Sequence, residues 1–159
     1  MNKIPLFKVF MSKNAPSKVS DVLMSGYIGQ GEKVEEFEKN LSHHFKNDKI
    51  LTLNSGTSGL HLAIHLLKKP QSKESWPGLN YGDEVLATPL TCTASNWPIL
   101  ANGLNIKWVD INPLNLNLCL DDLERKISKK TKLIMLVHWG GYPNDLDKIN
   151  EIVEKKERE

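Results

Sequence analysis

The sequence predicts an α/β fold, a mainly parallel sheet with helices on both faces. Short apolar and β-branched runs alternate repeatedly with segments whose apolar residues recur at helical spacing. The joints between them are rich in Gly, Pro, Asn and Ser, the residues of tight connections. One run, TKLIMLVHW at 131–139, is apolar almost throughout, as in a strand covered on both faces.

Each element follows from its own residues. SKVSDVLM (17–24) predicts a short amphipathic helix that ends at the glycine-punctuated loop SGYIGQG. Residues 32–46 place Val34, Phe37, Leu41 and Phe45 on one face of a second helix. A first strand is expected at 49–53, with Leu51 to Leu53 as its buried end. Asn54 to Gly59 reads as a turn, and Leu60, Ala63, Ile64 and Leu67 then recur at helical spacing up to about Lys68. Residues 69–82 are rich in Pro, Gly and Ser and predict an exposed loop. DEVLATP (83–89) is a second strand. SNWPILANG (95–103) is a helix stopped by Gly103. NIKWVDI (105–111) is a third strand, CLDDLERKIS (119–128) a helix, and 131–139 the fourth strand. In the last segment Leu146, Ile149, Ile152 and Val153 mark a helix that Asp145 starts.

Composition bounds the function. The chain has 159 residues, 40% hydrophobic and 25% charged, which suits one domain with a real core. A net charge of +2, from 21 basic and 19 acidic residues, is too balanced to argue for nucleic acid. No apolar run approaches the ~20 residues of a membrane span, so no membrane partner is expected. The N-terminal stretch, interrupted by Lys8, makes a poor signal peptide. The two cysteines, Cys92 and Cys119, lack CxxC spacing. A disulfide framework is not expected, and a cytoplasmic location is.

Among candidate site residues, the strand–turn–helix at 51–67 is a common way to hold an anion, because the N–H groups of the first helical turn and the helix dipole converge there. A plain tight connection made by Gly56 and Gly59 is the alternative. The turn is neither a Walker sequence nor GxGxxG, and GYIGQG at 26–31 precedes the first strand, which is wrong for a dinucleotide loop. His61 and His65 share a helix face, but with no acidic or cysteine ligand nearby they read as a polar face, and no metal is expected. Cys92 has no local base, so taken alone it reads as a small buried residue.

SGYIGQGEKVEEFE, LNSGTSGLHLAI, GDEVLATPLTCTASNWPIL, IKWVDIN and VHWGGYPNDLDKI occur in the order and approximate spacing of the DegT/DnrJ/StrS sugar aminotransferases, and the chain resembles that family from about Pro5 to Ile152. The resemblance implies part of a fold-type I large domain that binds pyridoxal 5′-phosphate (PLP). By it, 1–48 would be an N-terminal helical segment, 49–159 a partial PLP-binding domain, and the C-terminal small domain would be absent. Ser55, Gly56, Thr57 and Ser58 match the family's cofactor-phosphate turn. Cys92 takes the place of the family's aromatic ring-stacking residue. His138 matches a position at the carboxyl edge of the sheet.

The family's pyridinium carboxylate lies in a Glu-Asp-x-Ala pattern and its cofactor lysine follows a Ser-Phe pattern. Neither pattern is present here, and Lys49 and Lys132 have no motif that would make them substitutes. The resemblance therefore implies a truncated or split aminotransferase of nucleotide-linked keto sugars, serving amino-sugar biosynthesis for surface polysaccharide and inactive alone. Glutamate would be the amino donor, and a homodimer or a complementary C-terminal fragment the partner. A non-catalytic relic or regulatory protein is one alternative. A PLP-dependent sugar dehydratase is another.

Overall fold

The structure is a computed structural model that describes residues 4–5, 8–72 and 75–158. Leu6 and Phe7 of the N-terminal apolar patch, and Lys73 and Glu74 in the middle of the expected loop, lie outside them. The chain divides into two compact units, Met1–Thr52 and Leu53–Glu159.

The first unit holds α1 (Ala15–Ser25) and α2 (Glu32–Phe45). Pro16 sits in the first turn of α1, where its missing N–H costs nothing, and Gly26 ends the helix at φ 74°. The apolar stripe of α2 forms as expected, yet Phe37 and Phe45 are exposed. Both the backbone N–H and the hydroxyl of Thr52 donate to Glu38 Oε1, at 2.8 and 2.7 Å. These bonds hold the Glu38 carboxyl below its ordinary range.

The expected strand at 49–53 does not form. Leu51 is 64% exposed and Leu53 44%, so the expected burial fails as well. A strand exists only by pairing its backbone with a neighbour, and no described strand lies beside this segment. Apolar content alone cannot supply that partner.

The second unit is built on a three-stranded parallel sheet of order β2-β1-β3: β1 (Glu84–Ala87), β2 (Asn105–Trp108) and β3 (Thr131–Met135). Around it lie α3 (Gly56–Leu67), α4 (Thr93–Ala101), α5 (Leu120–Lys126) and α6 (Leu146–Arg158). The alternation of the central strand divides the core in two. Val85 and Ala87 pack with Ile64, Leu79, Ile99 and Leu104 on the α3/α4 face. Leu86 points the other way, to Val109, Leu118, Leu123 and Ile149 on the α5/α6 face. Helices therefore cover both faces, as expected.

Two further expectations are corrected. The strands at 105–111 and 131–139 are shorter than their apolar runs, ending at Trp108 and Met135. The fully covered strand is β1, whose Val85, Leu86 and Ala87 are 0% exposed, whereas every described β3 residue stays partly accessible. Position decides this: among the described strands β1 is central and β3 lies on an edge.

Gly103 stops α4 as predicted, one residue past the cap Asn102. Its N–H donates to the Leu100 carbonyl and that of Leu104 to Ile99, a Schellman closure that needs the left-handed φ of 76° seen at Gly103.

Candidate functional site

Connectivity brings the candidate residues to one end of the second unit. From Ala87 the chain passes through 88–92 into α4, which returns to Gly103 and the start of β2. α4 therefore runs antiparallel to the strands and begins beyond their carboxyl ends. α3 runs the same way. The carbonyl of its last residue, Leu67, accepts from Trp76 Nε1 at 2.7 Å and from the Leu79 N–H at 3.0 Å. Lys68 Nζ donates to the Asn102 carbonyl at 3.0 Å, and the Gly82 N–H to Gly103 at 2.8 Å. These contacts gather at the amino edge, so both helix N-termini face the carboxyl edge, where ligands of open α/β sheets collect. His138 follows the end of β3 at the same edge.

The stretch 54–59 is not a turn before the helix, because α3 already begins at Gly56. The cause is Ser55, an extended N-cap whose Oγ accepts the Ser58 N–H at 3.1 Å. The Ser58 hydroxyl in turn donates to Asn54 Oδ1 at 2.7 Å, and the Gly59 N–H reaches the Ser55 carbonyl at 3.1 Å. The N–H groups of Gly56 and Thr57 have no acceptor among the described residues. Neither Gly56 nor Gly59 has a positive φ, so backbone conformation does not require glycine there. A Cβ added at Gly56 would meet nothing within 4 Å. A small anion can therefore approach two free N–H groups at the positive end of a twelve-residue helix. A phosphate fits that end. Ser58 could bind it only by giving up Asn54.

Cys92 is exposed, not buried as its type alone suggested, because it is the N-cap of α4 in the loop above β1. That loop is braced from below. The Thr91 and Ser95 hydroxyls are 2.8 Å apart, and Asn96 Nδ2 donates to the Thr88 carbonyl at 3.1 Å. His61 and His65 lie on α3, and no metal-binding cluster occurs among the described residues. Lys132 is the second residue of β3, at the amino edge of the sheet and away from these residues. Asp145 starts α6 as expected, accepting the Lys148 N–H at 3.2 Å.

Sequence reasoning missed Asn117 and Asn144. Both are buried, at 3% and 6% exposure, and they tie the loop after β3 in place. Asn117 accepts the Trp139 N–H at 3.1 Å and donates to the carbonyls of Tyr142 and Pro143, at 3.1 and 2.9 Å. Between those anchors Gly140 and Gly141 take left-handed φ values of 59° and 83°. The loop is therefore a held turn, with His138 at its entrance. An asparagine in a loop-rich stretch carries no periodic signal, and only the Gly-Gly pair hinted at a sharp bend.

The model of the DegT/DnrJ/EryC1/StrS aminotransferase family matches residues 10–157. The chain belongs to that family. Among its relatives, the GDP-4-keto-6-deoxy-D-mannose 3-dehydratase of Yersinia pseudotuberculosis is 31% identical over 99% of this chain and 39% of that protein. The dTDP-4-dehydro-2,3,6-trideoxy-D-glucose 4-aminotransferase of Saccharopolyspora spinosa is 31% identical over 87% of this chain and 34% of that protein. The crystal structure of AtS13 from Actinomadura melliaura superposes with a TM-score of 0.80 at 50% identity, over 98% of this chain and 39% of that one. An E. coli GDP-4-keto-6-deoxy-D-mannose-3-dehydratase solved with bound hydrated PLP gives 0.81 at 27% identity, over 97% of this chain and 39% of that one. This DegT-family chain thus spans about two fifths of the relatives it matches, and its sheet and helices are those of the PLP-dependent fold. No described helix is long and apolar enough to cross a membrane.

Proposed function

We propose that this chain is the phosphate-binding part of a PLP-dependent aminotransferase of nucleotide-linked keto sugars. The observation that carries the reading is the N-terminus of α3, where the N–H groups of Gly56 and Thr57 stand unpaired among the described residues, beside open space. Ser55 caps the helix and keeps those groups aligned. The Thr57 hydroxyl would add a donor to a phosphate, as would that of Ser58 on releasing Asn54, and Cys92 would face the cofactor ring where other members carry an aromatic residue. His138 lines the same edge. Bound PLP supplies an electron sink for the carbon that bears the amino group.

Residues 1–48 act in this reading as an N-terminal helical segment and 49–159 as part of the large domain. The cofactor lysine, the pyridinium carboxylate and the small domain belong to sequence that this chain does not span. Glutamate is the amino donor, the assembly is a homodimer, and the enzyme works in the cytoplasm.

Comparing pyridoxal 5′-phosphate with pyridoxal tests the phosphate site in the 159-residue chain. The phosphorylated compound should bind more tightly, and Thr57→Ala with Ser58→Ala should narrow the difference without erasing it, because the Gly56 and Thr57 N–H groups remain. Each hydrogen bond to a charged acceptor is worth about 1.5 to 3 kcal/mol. Equal binding of the two compounds by the unaltered chain would refute the assignment.

Sugar 3-dehydration is the second reading, favoured by the 31% identity to the Yersinia dehydratase across 99% of this chain. A full-length protein that turns a nucleotide-linked keto sugar into a deoxy sugar, with no amino sugar formed, would select it.

A further inference from the structure

Two donors converge on one nitrogen of His138. The backbone N–H of Asn144 lies 3.1 Å from His138 Nδ1, and the Asn144 side-chain Nδ2 lies 3.1 Å from the same atom. A backbone N–H can only donate. The side-chain amide is oriented just as firmly, because its Oδ1 accepts the Leu118 N–H at 3.2 Å and its Nδ2 donates to the Val137 carbonyl at 2.8 Å. With donors on both approaches, Nδ1 must present its lone pair. The neutral ring then carries its proton on Nε2, for which no partner occurs among the described residues.

We propose that Asn144 is a positioning residue that presents His138 as a fixed Nε2–H donor at the carboxyl edge of the sheet. Its burial makes this a built arrangement, since one amide spans Leu118 at the entry to α5, Val137 after β3, and the imidazole itself. Asn117 grips the other side of the same loop through Trp139, Tyr142 and Pro143. The ring can then offer one hydrogen bond to an acceptor on a bound ligand, such as a carboxylate, carbonyl or phenolate oxygen. The fixed tautomer stands on this geometry alone. Its use toward a ligand rests on the proposed cofactor site.

The tautomer can be read without any cofactor. Long-range proton–nitrogen correlation on the 15N-labelled 159-residue chain should give a lone-pair-type signal for His138 Nδ1 and a protonated-type signal for Nε2. A coupling across the hydrogen bond should link the Asn144 amide nitrogen to Nδ1. Asn144→Ala removes the side-chain donor but keeps the backbone N–H, so it should retain the Nε2–H form while shifting and broadening the His138 ring signals as the ring loses its fixed orientation. Asn144→Asp, which replaces the side-chain donor by an acceptor, should raise the share of the Nδ1–H form. A protonated Nδ1 or a missing coupling in the unaltered chain overturns the proposal. So does a folded Asn144→Ala chain whose His138 signals are unchanged. Should both variants fail to fold, the tautomer and coupling of the unaltered chain still decide it. If the tautomer is as stated but pyridoxal 5′-phosphate leaves the His138 signals unmoved, the cofactor reading fails while the positioning stands.

Discussion

The carboxylate of Asp122, on α5, accepts the backbone N–H of Asp110 at 2.7 Å and so fastens the exit of β2 to the helix that follows. Lys126 Nζ reaches the same carboxylate at 2.7 Å, and Arg125 pairs with its other oxygen. The side chain is only 6% exposed, so these partners are what make its charge tolerable there.

The Asp110 N–H first, and then the two cations, hold the Asp122 carboxyl well below its ordinary value of 3.8. The unfolded chain therefore binds this proton more readily than the folded one, and stability rises with pH. The contribution is complete above the ordinary carboxylate range and fades as pH falls through it toward the depressed folded value. Urea unfolding of Asp122→Asn should show a smaller loss of stability between neutrality and acid than the unaltered chain. At neutral pH, Asp122→Ala should cost about 2 to 3 kcal/mol.

Gly103→Ala should destabilise the second unit by about 1 to 2 kcal/mol, the cost of a left-handed residue with a Cβ. The added Cβ would also stand 2.6 Å from the Tyr81 ring, but Tyr81 is 90% exposed and can swing aside. Tyr81→Ala in the same chain should therefore recover little of the loss. Chemical denaturation of the single and double variants separates strain from clash.

Ser55→Ala should cost about 1 kcal/mol through loss of the α3 cap. It should also weaken pyridoxal 5′-phosphate more than pyridoxal, because the helix end would fray at the proposed phosphate site. Thermal unfolding and a binding titration measure the two effects separately.

The chain alone should not transaminate. Incubated with pyridoxal 5′-phosphate, glutamate and a panel of nucleotide-linked keto sugars, it should form no amino sugar, because it carries neither the Glu-Asp-x-Ala nor the Ser-Phe pattern. Turnover would require a lysine acting from an unsuspected position.

The outer edge of β3 has no strand beside it among the described residues. Next to it runs a groove of about 1000 Å³ whose lining mixes Leu133, Ile134, Leu136, Ile149 and Val153 with Lys129, Lys132 and Arg158. An open edge with apolar neighbours favours strand addition. Size-exclusion chromatography should reveal concentration-dependent association of the chain, and Val153→Lys should reduce it. A sharp monomer peak at every concentration would count against this reading.

Much of the fold was legible because helices are local. The spacing of Val34, Phe37 and Leu41, or of Leu146, Ile149 and Val153, identifies a helix whatever surrounds it, and Gly103 and Asp145 mark helix ends through chemistry within a few residues. The helix that follows Leu53 was legible for the same reason, although it begins at Gly56, earlier than the apolar period indicated.

The sequence by itself determined the alternation of strand and helix, the covering of both sheet faces and the motifs that the chain shares with its family. Only the tertiary structure decided which apolar runs became strands and how deeply each was buried. Residues 49–53 and 84–87 read alike, but only the second found neighbours on both sides. The exposure of Cys92 and the tautomer of His138 were decided there too, the latter by an amide held between Leu118 and Val137. The physical reason is range: a helix closes its hydrogen bonds within four residues, whereas a strand, a buried asparagine or an oriented imidazole takes its partners from distant parts of the chain.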